Sequence, residues 1–137
     1  MSTILVVDDH QDIRMLFEVE LSFGDHRVLQ AADGEEALEV LAGESVDLMI
    51  LDIMMPRLSG EEVLRRLGPD FETPIVVVTA KEAQTFAEYL ELGAVDAIEK
   101  PFDLGQALDL VEGLLRVEPS ERQEHRRRRI AELRGRA

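Results

Sequence analysis

Short apolar runs recur along this chain and constrain it more than any other feature: ILVV at 4–7, LMIL at 48–51 and IVVV at 75–78, with weaker versions in RVLQA at 27–31 and AVDAI at 94–98. Each is too short for a core helix. The three strong runs do not alternate apolar with polar residues, so each needs cover on both faces, as strands of a parallel sheet packed between helices do. The intervals between the runs carry helical periodicity. Ile13, Leu16, Phe17, Glu20 and Leu21 mark a first helix. Ala37, Leu38 and Leu41 mark a second, opened by Asp33 with Glu36 three residues later as a capping pair. Ser59 and Glu62 open a third ahead of Val63, Leu64 and Leu67, and Gly68-Pro69 closes it. Residues 81–92 form a fourth that ends at Gly93, and a fifth opens at Asp103 with Leu104, Ala107, Leu108, Val111, Leu114 and Leu115 on one stripe. Five strands alternating with five helices predict one α/β layer sandwich with right-handed crossovers.

The 137 residues suffice for one domain with a real core, in keeping with an apolar content of 45 %. With no cysteine in the chain, disulfides, zinc-thiolate sites and thiol catalysis are excluded. No basic start with a long apolar run follows Met1, and no apolar stretch approaches the ~20 residues of a membrane span, so the expectation is a cytoplasmic protein without a membrane partner. Residues 1–117 carry a net charge of −17 and residues 118–137 one of +3. So acidic a body repels nucleic acid and anionic membranes.

The residues at the ends of the strands carry the chemistry. Asp8 and Asp9 follow the first strand, Asp52 the third, Thr79 the fourth and Lys100 the fifth. In an open parallel sheet ligands bind outside the carboxyl ends of the strands, so these side chains from separate segments converge. Carboxylates packed together raise one another's pKa unless a cation neutralises them. Mg²⁺ suits such a site because it needs only one or two carboxylates, with waters and a phosphate oxygen. Asp52 as nucleophile toward a phosphoryl group, with Lys100 and Thr79 on its oxygens, completes a chemically sensible set.

The segments ILVVDD, LMILDIMMPRLSG, VVVTA and AIEKPF, in this order and spacing over residues 2–117, resemble the receiver domain of two-component response regulators, of the chemotaxis-regulator type. The resemblance implies a flavodoxin-like, doubly wound (βα)5 fold with a five-stranded parallel sheet of order 2-1-3-4-5. It implies that Asp52 is the phosphorylation site and that Asp8, Asp9, Asp52 and the backbone carbonyl of Met54 hold Mg²⁺. Thr79 and Ala80 match the phosphoryl-binding and switch segment, Lys100 the lysine of the family, and Lys100-Pro101 a bond often found cis. Pro56 and Gly60 match the turn after the phosphorylation site. The partners implied are a histidine kinase or phosphotransfer protein as donor, and a downstream protein target reached through the fourth helix, fifth strand and fifth helix. A domain of this kind catalyses its own phosphorylation and dephosphorylation and is not an enzyme toward other substrates.

Three departures from the family pattern stand out. Ala97 takes the position of the aromatic residue that moves with the switch hydroxyl. The interval from Thr79 to Gly93 is about one residue short, which affects the register of the fourth helix. Met54 and Lys81 occupy the two positions that flank the path of hydrolytic water, and predict a long-lived phosphoryl group. His10, after the acidic pair, reads as a surface residue.

Two alternatives compete with a stand-alone receiver. One is the N-terminal receiver of a larger response regulator with a DNA-binding or enzymatic output. The other is a Mg²⁺-dependent phosphohydrolase, which would need an acid two residues after its nucleophile, where Met54 stands. Residues 118–137, with the run RRRR and only Ile130, Ala131 and Leu133 as apolar support, read as a frayed helix or linker too polar to dock firmly. Without interleaved aromatics the arginines are weak evidence for nucleic-acid binding.

Overall fold

The computed structural model describes residues 1–80 and 85–135. Strands β1 (Thr3–Val7), β2 (Arg27–Ala31), β3 (Leu48–Asp52), β4 (Ile75–Thr79) and β5 (Asp96–Glu99) alternate with helices α1 (Gln11–Phe23), α2 (Gly34–Gly43), α3 (Gly60–Leu67), α4 (Phe86–Leu92) and α5 (Leu104–Arg116), and α6 (Pro119–Gly135) follows. The sheet order is β2-β1-β3-β4-β5 and every pairing is parallel, the flavodoxin-like arrangement. Among the described residues no helix is long and apolar enough to cross a membrane.

Continuous apolar strands appear because alternate residues serve opposite layers. Leu5, Val7, Met49, Leu51, Ile75 and Val77 pack with Ala37, Val63, Leu64, Phe86, Tyr89 and Leu90 from α2, α3 and α4. Ile4, Val6, Leu48, Ile50, Val76 and Val78 pack with Phe17, Leu21, Ala107, Val111 and Leu114 from α1 and α5. Each buried Val, Leu, Ile, Met or Phe among them contributes about 1.5–3 kcal/mol of transfer free energy, so the central strands anchor the molecule and leave its rims free for chemistry.

The helix starts follow the local sequence. Asp33 accepts from the Glu36 N–H at 2.9 Å, Ser59 from the Glu62 N–H at 3.2 Å and Asp103 from the Gln106 N–H at 2.9 Å, each satisfying a donor that the first turn leaves open. Gly93, at φ 131°, turns the chain out of α4 with a backbone that L side chains rarely adopt.

Several boundaries differ from expectation. Asp52 and Thr79 are the last residues of their strands rather than the first after them. The fifth strand starts at Asp96, because Ala94 and Val95 are spent in returning from the Gly93 turn, with the Val95 N–H bonded to Ile75 O at 2.8 Å. Leu16 is 41 % exposed while Phe17 and Leu21 are buried, so the inner face of α1 is narrower than its periodicity suggests. The expected first turn of the fourth helix, including Lys81, lies outside the described residues.

The largest difference concerns the arginine-rich segment, which forms α6 and docks on α4 and β5. Ile130 and Leu133 pack against the core, and arginines do the rest. Arg126 Nε donates to Leu90 O at 2.6 Å, Arg122 Nη1 to Val117 O at 2.9 Å and Arg129 Nε to Asp96 at 2.9 Å. Counting apolar residues underestimates such a helix because guanidinium groups find the carbonyl ends of α4 and α5, where cations are favoured.

The approach of α3 to β3 leaves no room for a side chain at Gly60, where an added Cβ would lie 2.2 Å from Asp52 O and 2.7 Å from Ile53 Cα, whereas at Gly43 it would meet nothing within 4 Å. Gly60→Ala is therefore expected to lower stability by about 3 kcal/mol. Gly43→Ala should raise it by about 0.5 kcal/mol, and urea unfolding of the two variants separates close packing from backbone entropy.

Candidate functional site

Parallel pairing brings Val7 beside Leu51, so Asp8, one residue on, and Asp52 emerge together at the carboxyl rim. Both are buried, with exposures of 2 % and 3 %. The backbone around each is fixed. The Asp8 N–H donates to Ala31 O at 3.1 Å, and Asp8 O accepts from Arg14 Nη1 at 2.6 Å. The Ile53 N–H donates to Val78 O at 3.2 Å and the Gly60 N–H to Ile53 O at 2.9 Å. The site is thus built on strands and hydrogen-bonded turns, which hold side chains more rigidly than free loops.

Lys100 closes the cluster. Its backbone N–H donates to Thr79 O at 2.8 Å, and its ammonium lies 3.2 Å from Asp8 Oδ2 and 3.5 Å from Asp52 Oδ2. One cation faces two buried carboxylates. Burial, followed by repulsion from Asp8, raises the Asp52 pKa from the ordinary 3.8 to about 6, against the opposing pull of Lys100 and the Met54 N–H. That N–H donates to Asp52 Oδ1 at 3.2 Å.

Oxygens of Asp8, Asp9 and Asp52 and a ring nitrogen of His10 lie within 4.8 Å of one another. A hard divalent cation fits this set: three of the donors are carboxylates, Asp8 and Asp52 are buried, and among the described residues one lysine lies against them. His10 is at the surface, as its position suggested, and also reaches the acidic pair. Its N–H donates to Asp8 Oδ1 at 2.8 Å, and its Nδ1 stands 3.2 Å from both Asp8 and Asp9 on a side chain that is 67 % exposed. Arg14, which braces Asp8 O and Gln30, was missed as well. The available signal was its place on the first turn of the helix after the acidic pair.

The remaining positions divide between pocket and core. Thr79 is fully buried at the end of β4, and Ala80 beside it is exposed. Met54 leaves its side chain 56 % exposed in a groove shared with Asp9, Met55, Pro56 and Ser59. Ala97 is buried among the residues facing α2–α4, where its methyl group is part of the packing. The Lys100–Pro101 bond is cis. The structure therefore gathers Asp8, Asp9, Asp52 and Lys100, with Thr79 joined to Lys100 through the backbone.

Comparison with known proteins gives a consistent result. The profile of the family described as response regulator receiver domain matches residues 4–112. The chain is 36 % identical over 121 residues to the response regulator ArlR of Staphylococcus aureus, an alignment covering 87 % of this chain and 55 % of that one. It thus spans about half the length of the curated relatives it matches. Among solved structures, the response regulator TrrA of Thermotoga maritima in complex with Mg²⁺-BeF superposes with a TM-score of 0.74 at 33 % identity, covering 83 % of this chain and 99 % of that one. The BeF3-activated receiver domain of Klebsiella pneumoniae RstA does so with a TM-score of 0.77 at 32 % identity, covering 84 % and 99 %.

The raised pKa of Asp52 has a consequence for stability. Between pH 3.8 and about 6 the folded protein holds a proton that the unfolded chain has lost, so this group's contribution falls as pH rises through that window. Without divalent metal, Asp52→Asn is expected to be more stable than the parent at pH 7.5 by about 1–3 kcal/mol. The advantage should vanish below pH 4, which urea unfolding in chelator at both pH values checks.

Proposed function

The chain belongs to the response regulator receiver family, and on that premise we propose that it accepts a phosphoryl group on Asp52 within a two-component phosphorelay and passes the signal on by changing its affinity for a protein target. The observation that carries this reading is the buried pair Asp8–Asp52 facing Lys100 at 3.2 and 3.5 Å, an arrangement that destabilises Asp52 until a phosphoryl group and a cation join it.

The ionised carboxylate of Asp52 attacks the phosphorus of the donor, a phosphohistidine of a kinase or phosphotransfer protein. The P–N bond breaks as the P–O bond forms, and the imidazole leaves. The Met54 N–H holds the Asp52 carboxylate in place. Lys100 turns its ammonium to the transferred oxygens, and the Thr79 hydroxyl is the hydrogen-bond donor assigned to them. Asp8, Asp9, Asp52 and Met54 O would hold Mg²⁺, which supplies neutralising charge on the phosphoryl oxygens. The same residues promote hydrolysis of the acyl phosphate, and turnover of other substrates is not part of this reading. The Met54 side chain, in the groove beside Asp9, supports slow hydrolysis from its position on the path of the hydrolytic water.

Switching requires a partner that distinguishes the two states, and the surface formed by α4, β5 and α5 is the one assigned to it. In the alternative arrangement the domain is the receiver portion of a longer regulator, and the same switch drives a covalently linked output.

Incubation with acetyl phosphate and Mg²⁺ should add one phosphoryl group, detected by intact mass, with a half-life of minutes or longer. Asp52→Asn should abolish the addition and chelation of Mg²⁺ should prevent it. Undiminished addition in Asp52→Asn would refute Asp52 as the acceptor, and a half-life of seconds would refute the protective role of Met54.

A further inference from the structure

Helix α6 crosses the amino-terminal rim of the sheet, at the end of β5 opposite the acidic pocket, and phosphoryl acceptance makes no use of it. We propose that α6 is a displaceable internal ligand of the surface formed by α4, β5 and α5, and that phosphorylation of Asp52 releases it. This inference rests on the phospho-accepting reading given above.

The hold on α6 is polar. Arg126 donates to Leu90 O at 2.6 Å and to Glu91 O at 3.4 Å at the end of α4, and Arg122 to Val117 O at 2.9 Å just after α5. These carbonyls lie at helix C-termini, which carry partial negative charge; Leu90 O also accepts from the Gly93 N–H at 3.1 Å, so the arginine adds a second donor there. Asp96, only 5 % exposed, receives His125 Nε2 at 2.7 Å and Arg129 Nε at 2.9 Å. Arg134 pairs with Glu91. No described residue of α6 is fully buried, and its apolar contribution is Ile130 and Leu133. Apart from the pairs at Asp96 these contacts lie toward the surface, where water and salt compete for them, so the helix can leave at lower cost than α1 or α5, whose Phe17, Leu21, Ala107, Val111 and Leu114 are buried.

Strand β5 connects the two ends. It is an edge strand of four residues, paired with β4 alone, so a single ladder restrains it. Its first residue, Asp96, is held by α6. The residue after its end, Lys100, is held by Asp8 and Asp52 about 13 Å away along the chain. Once Asp52 carries a phosphoryl group, the ammonium of Lys100 follows oxygens that lie beyond the carboxylate, and β5 moves with it. Contacts of 2.7 and 2.9 Å at Asp96 do not survive a shift of about 1 Å. Ala97 leaves no ring on this strand to carry the change sideways, so the strand itself transmits it.

The test is amide hydrogen exchange on the full chain in MgCl₂ alone and with beryllofluoride added, alongside amide NMR of the pocket. Residues 119–135 are expected to exchange about tenfold faster with beryllofluoride, while α5 stays protected and Asp52→Asn shows no change. Arg129→Gln should speed exchange in α6 without beryllofluoride and leave the pocket shifts intact. If beryllofluoride shifts the pocket amides in an Asp52-dependent way but α6 exchanges as before, release is wrong and the receiver reading stands. If no Asp52-dependent pocket shift occurs, the receiver reading itself fails. Unprotected α6 amides in MgCl₂ alone, or an Arg129→Gln variant that exchanges like the parent, would overturn the docking contact.

Discussion

Two buried carboxylates on neighbouring parallel strands are the constraint around which this protein is arranged. Asp8 and Asp52 sit side by side because β1 and β3 pair in register up to Val7 and Leu51, and neither can turn away without breaking a strand end. Local N–H groups of His10 and Met54 relieve their mutual repulsion only in part. Lys100 arrives from the far edge of the sheet and offers one positive charge to both, and the remaining negative charge makes the pocket receptive to a cation and to phosphorus. A surface cluster of acids would be screened by water and would carry no such consequence.

The fold tolerates this unfavourable site because stability and chemistry occupy different parts of the same strands. The residues of β1, β3 and β4 that precede the rim are almost wholly buried and serve both layers, while the last residue or the one after it faces the pocket. Gly60 shows how closely the two regions meet: its missing side chain lets α3 pack against the backbone carbonyl of Asp52 itself.

Sequence reasoning recovered those features that depend on short-range pattern. The apolar runs, the caps at Asp33, Ser59 and Asp103, and the polar residues at the strand ends each declare themselves within a few positions. Strand order came from resemblance to a family, since nothing in ILVV says which neighbour it will have. Features that depend on distant partners were hidden. His10 and Arg14 gain their contacts from the direction in which the chain after β1 leaves the sheet, and nothing in AVDAI singles out Asp96, whose partners lie 29 and 33 residues further on.

Helix α6 shows most plainly where pattern fails. A helix is usually read as docked or free from its apolar stripe, and by that standard this one has too little to bind. Its arginines, however, meet an acidic body whose helices end in partly negative carbonyls, and a long guanidinium side chain can reach those carbonyls without burying its helix. Such an interface depends on charge and geometry that the segment alone does not contain. It is also weaker and more readily exchanged than an apolar one, which suits the displaceable element we propose better than one that serves only to complete the core.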